Sequence, residues 1–135
     1  MANLLETSVI ALHHVGEKSG ETFTGSFHCF RRLTHRLELA RDRLSRELLG
    51  PNPEGASEDS RLRAEILAEL KVAFSIVPDW FAQSDWGMDL YDNTLIVKLY
   101  EEILKIRKAA IDELQKKSDQ AGVELKKLAE ADKVK

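Results

Sequence analysis

The stretch from Thr94 to Lys135 constrains the fold most, because its apolar residues keep a helical repeat for its whole length while the apolar face narrows part-way along. Leu95, Ile96, Leu99, Ile103, Ile106 and Ala110 form one stripe, and Val97, Tyr100, Leu104, Ile111 and Leu114 a second beside it. A face that wide belongs to a core helix. Beyond Leu114 only Ala121, Leu125 and Leu128 continue at three- and four-residue steps, among Asp, Glu and Lys. That narrow seam suits one partner helix in a coiled coil and cannot make a full core. The spacing predicts one long helix over about 94–130, with residues 118–135 a charged extension of a domain spanning 1–117.

The rest of the chain supplies the elements this helix needs to pack against. At 135 residues it is long enough for one core without disulfides or a structural metal. With 32% charged residues, 7 Gly and 3 Pro, it favours helices. A first helix is expected over 3–15, capped by Asn3, with Leu5, Val9 and Leu12 on one face and Leu4, Ile10 and Ala11 beside it. Gly16–Ser26 reads as a turn-rich link with room for a brief extended piece at Thr22–Thr24. Phe27, Phe30, Leu33, Leu37, Ala40, Leu44 and Leu48 predict a second helix over 26–49, stopped by Gly50-Pro51. A third, over 58–77 with Ser57 or Ser60 as cap, carries Leu62, Ile66, Leu67, Leu70, Ala73, Phe74 and Val77. Trp80, Phe81, Trp86, Met88 and Tyr91 crowd the next stretch, which reads as a helical turn and a reversal at Gly87 that closes a core corner. Asp92 or Asn93 then caps the long helix. The expected fold is therefore all-α, a four-helix bundle-like domain with a projecting C-terminal helix.

No catalytic signature stands out. The glycines near Lys18 lack the Gly-Lys-Ser/Thr order and preceding strand of a phosphate loop. No Glu-x-x-His occurs for a carboxylate-bridged metal pair, and the reversed spacings His14–Glu17 and His35–Glu38 are surface patterns, so neither metal nor cofactor is expected. Cys29, the single cysteine, sits beside Phe30 in an apolar repeat and reads as an inert buried thiol in a reducing compartment. The N-terminus makes a poor secretory signal, and no apolar run would span a membrane, so a soluble cytoplasmic or nuclear protein is expected.

Two surfaces remain as binding candidates. The first is the terminal seam, Ile111, Leu114, Ala121, Leu125 and Leu128, which would join a protein partner or a second copy. The second is the basic face of the 26–49 segment, where six arginines oppose three carboxylates in a chain of net charge −3. Arg31, Arg32, Arg36 and Arg43 could there neutralise the phosphates of a nucleic acid. His28 with Arg31 or Arg32, and His35 with Arg31 or Arg36, also meet the charge requirement of histidine phosphotransfer, though Phe27, Phe30 and Leu37 crowd them. The function expected on balance is a non-catalytic interaction or adaptor protein working through its last helix.

One local motif suggests a relative. In residues 68–99, Val77, Pro78, Asp79, Trp80 and Phe81 match a Val-Pro-Asp/Glu-Trp-apolar motif. The segment thereby resembles the C-terminal winged-helix domain of the eukaryotic replication licensing factor that helps load the replicative helicase. The resemblance implies a helicase-binding module with an α+β winged-helix fold and a small hairpin near 86–92, Met88–Tyr91 being its strand.

Overall fold

The structure, a computed structural model, describes the backbone of residues 6–134 and the side chains of residues 6–129. It is α+β, and the all-α expectation is overturned by a three-stranded antiparallel sheet of order β1-β2-β3. β1 spans Thr7–Val15, β2 Thr22–Phe30 and β3 Phe74–Ile76. The helices are α1 (His35–Leu48), α2 (Glu58–Ala73), the short α3 (Asp79–Gln83) and α4 (Asn93–Val134), with a 3-10 turn at Pro53–Gly55.

The segment expected as a first helix over 3–15 is β1. Ile10 and Leu12 face the core, while Val9, Ala11, His13 and Val15 face solvent. That is the period of a half-buried strand. Asn3, Leu4 and Leu5 lie outside the described residues. The expected helix over 26–49 divides in two. Its first residues belong to β2, where Phe23, Phe27 and Cys29 point inward at even-numbered steps. Its remainder is α1, opened by Thr34 Oγ1 accepting from the Leu37 amide at 3.3 Å. β1 and β2 pair in one unbroken register, Ile10 opposite Phe27 and Leu12 opposite Gly25, around the loop 16–21.

The third helix starts at its expected Ser57 cap, whose hydroxyl accepts from the Ser60 amide at 3.2 Å. It ends at Ala73, short of the expected residue 77, because Phe74 turns extended and pairs with Cys29 at a bulge beside His28. Trp80 and Phe81 form the expected helical turn, now α3, and the core corner with it. The rings of Phe27, Phe74 and Phe81 meet edge-on or tilted at 4.9–6.1 Å, and Phe23 packs on Trp80 at 5.0 Å. Such pairs add to the area they bury. The Trp80 indole donates to Thr24 O at 2.8 Å, fastening α3 to β2. Met88–Tyr91 is turn and coil, so the hairpin expected near 86–92 is absent, and the hairpin of this fold is β1–β2. Asp85 and Trp86, both at positive φ, with Gly87 at +95°, reverse the chain there.

α4 packs its first stripe, Leu95, Ile96, Leu99, Ile103 and Ala110, into the core against α2 and β1. The hairpin lies along it. Its loop reaches the start of α4, where Asp92 accepts from the Lys18 and Ser19 amides at 2.8 and 3.0 Å and from the Ser19 hydroxyl at 2.6 Å. Its open end reaches Glu113 through Arg31 at 2.6 Å.

Candidate interaction surface

α4 changes character where the sheet ends. Every described residue from Ile111 to Ala129 is exposed, although the helix continues to Val134. The seam residues Ile111, Leu114, Leu125 and Leu128 are 62%, 45%, 68% and 65% exposed, and Ala121 is exposed with them. Exposed apolar residues are ordinary when scattered, but these repeat along one line. The line begins inside the domain's span, since Leu104, one heptad before Ile111, is 44% exposed. Val123, 52% exposed, stands off the line.

Two carboxylates of the α4 region tie it to the hairpin. Glu113 is drawn to Arg31, whose hydrogen bond holds its carboxyl below the usual carboxylate range. Asp92 turns away from capping α4 to hold the hairpin loop, and the Ser19 hydrogen bond lowers its pKa. Glu17 takes over at the helix start, its Oε1 accepting from the Thr94 amide at 3.1 Å.

The four arginines singled out on sequence do not share a helix face. Arg31 follows β2, with its amide donating to Glu6 O at 2.9 Å, and its guanidinium bridges Glu6 and Glu113. Arg32 sits in the bend before α1, while Arg36 and Arg43 are exposed on α1. Between α1 and α4 an open groove of about 290 Å³ is lined by Arg31, Arg32, Leu33, Glu38, Arg41, Arg107 and Ile111. Three of its four arginines are already ion-paired, Arg31 with Glu6 and Glu113, Arg41 with Asp42 and Glu69, and Arg107 with Glu69.

Beneath the groove lies an ion cluster that sequence reasoning missed. Glu69, with its side chain 5% exposed, accepts through Oε1 from Arg107 and from Arg41 at 3.5 Å. Its Oε2, and Nε and Nη2 of Arg107, are buried without a partner among the described residues. The available signal was a glutamate beside Leu70 on the apolar side of α2 and an arginine following Ile106 on that of α4.

The remaining candidates are dispersed. His14 Nε2 is 3.0 Å from Thr94 Oγ1; His28 is on β2 and His35 opens α1, so the two histidines weighed for phosphotransfer sit on different elements. Cys29 is fully buried, and desolvation pushes its thiol up to about 11. Among the described residues no cluster of three or more His, Cys, Asp or Glu is placed to hold a metal, and no helix is long and apolar enough to cross a membrane. No protein-family model, curated protein or solved structure matches the chain.

Proposed function

We propose that this chain is a non-catalytic interaction protein that engages its partner through the projecting half of α4. The observation that carries the reading is the run of exposure from Ile111 to Ala129 along a helix that keeps apolar residues at coiled-coil spacing. An isolated helix of that length is marginal in water, and packing against an apolar face is what ordinarily sustains one. The seam residues Ile111, Leu114, Ala121, Leu125 and Leu128 supply the contact, and the flanking Lys and Glu side chains set orientation. Nucleic-acid binding is the less favoured reading, because Arg31 is already engaged by Glu113 and Glu6.

The test is cross-linking of the full chain in its native cells, beside a Leu125→Ser/Leu128→Ser variant. Adducts lost in the variant, with its thermal unfolding unchanged, are the expected result. Adducts identical in both would end the reading. A chain ending at Lys117 should keep the domain's melting temperature within about 2 °C, since every described residue beyond Glu113 is exposed.

A further inference from the structure

We infer that the partner of the α4 seam is a second copy of this chain, bound antiparallel in one defined register. The inference rests on the interaction reading above and adds the occupant. Assigning Ile111, Ser118 and Leu125 to heptad position a puts Leu114, Ala121 and Leu128 at d. Let two such helices run antiparallel about a twofold axis passing between Asp119 and Gln120. Ile111 then faces Leu128 of the other copy, Leu114 faces Leu125, and Ser118 faces Ala121. All the seam residues find partners in the same register, with the large side chains in the outer layers and the small ones at the axis.

Charge complementarity selects the same arrangement. Lys117 and Glu124 occupy the flanking g positions, and antiparallel pairing places Lys117 of each copy beside Glu124 of the other. Gln115 and Gly122, neutral, meet on the opposite flank. Parallel pairing offers neither ion pair: Lys117 would flank Gly122 and Glu124 would flank Ala129. It would also set the two arginine-lined grooves side by side, whereas antiparallel pairing puts the domains at opposite ends.

The exposed line on the domain continues in this direction. Past Leu128, which faces Ile111, the partner helix runs on toward Leu104 of the other copy, the exposed apolar residue one heptad earlier on the same line. The association is an isologous contact that closes at two copies. Its few layers, with polar Ser118 in the central one and Gly122 weakening the helix beside it, make it reversible and dependent on concentration.

Sedimentation equilibrium of the full chain tests this, with Lys117→Glu and Glu124→Lys variants alone and mixed in equal amounts. The native chain should be in monomer–dimer equilibrium, and each variant, carrying like charges at both pairs, should bind itself about tenfold more weakly. The mixture should recover dimer. In a mixed pair the new glutamate of one variant faces the new lysine of the other, and the unaltered Glu124 of the first faces the unaltered Lys117 of the second. A native chain monomeric up to about 1 mM would overturn self-association and leave the seam to the cross-linking experiment. A dimer indifferent to these charges, or one the mixture does not restore, would overturn the antiparallel register alone.

Discussion

The buried ion cluster of Glu69, Arg107 and Arg41 allows a quantitative test of what holds α2 to α4. The perturbations are Arg107→Met, Glu69→Leu and the two together. The side chain of Arg107 is 18% exposed and that of Glu69 5%, so removing either charge strands the other away from water. In the first variant only Arg41, at 3.5 Å, would remain to hold the carboxylate. Breaking a buried pair in this way costs about 3–5 kcal/mol. For a chain of this length that lowers the melting temperature by about 10–20 °C. The double variant should behave differently. It removes both charges together with three polar atoms that have no partner, and it fills the space with apolar groups. Replacing a buried pair so is often neutral or stabilising, and a change within about 1 kcal/mol of the native chain is expected. Arg41 would lose Glu69 but keep Asp42 at 3.2 Å and 29% exposure. Urea unfolding of the four proteins at neutral pH, followed by circular dichroism, gives the double-mutant cycle directly. Single losses that simply add in the double variant would refute the reasoning, for the two side chains would then act independently.

Four further outcomes are expected. Asp92→Asn should flatten the acid side of the stability profile: a carboxyl whose folded pKa is lowered stabilises above its unfolded value of about 3.9 and loses that contribution as pH falls through the folded value, which urea midpoints between about pH 5 and pH 2 would record. Gly25→Ala should cost about 1–3 kcal/mol in the same assay, since φ there is +150° and the new methyl would collide with Pro78 Cγ. Cys29 should resist thiol reagents until the protein unfolds, being fully buried with its thiol pushed up to about 11; rapid labelling of the native chain would contradict this. Amides of α1 should exchange with solvent at least about tenfold faster than those of α2, because α1 buries no residue whereas α2 buries Ile66, Ala68, Leu70 and Ala73.

The helices after residue 57 were legible because their signals are local. Ser57 caps α2, and the six-residue stripe that starts at Leu95 is almost wholly core. The sheet was not legible, for a reason visible at particular positions. Val9 and Leu12 are three residues apart, as are Phe27 and Phe30, so both pairs fit a helix. In the strands those residues point to opposite faces: Leu12 and Phe27 are buried, Val9 is exposed and Phe30 half-exposed. The stronger signal was alternation through Thr22-Phe23-Thr24-Gly25-Ser26-Phe27 beside a glycine-containing loop, which is the pattern of a hairpin. Of the candidate surface, the seam was legible because its spacing is a property of one helix. The cluster around Glu69 was not, because it joins α1, α2 and α4, and no single segment carries that arrangement.

The length of the hairpin decides where α4 becomes free. His14 is near Thr94 at one end of the packed stretch, and Arg31, held to Glu6, meets Glu113 at the other. From His14 back to Glu6 the strand covers about 27 Å at about 3.4 Å per residue. From Thr94 to Glu113 the helix covers about 28 Å at about 1.5 Å per residue. The two lengths agree, so the sheet runs beside α4 as far as Glu113, and the helix continues beyond it with every described residue to Ala129 exposed. The exposed line does not begin at that boundary. Leu104 and Ile111 share the heptad position of Leu125, and Ile111 lies in the arginine-lined groove. A helix seated on the proposed seam would therefore touch the domain as well as the tail.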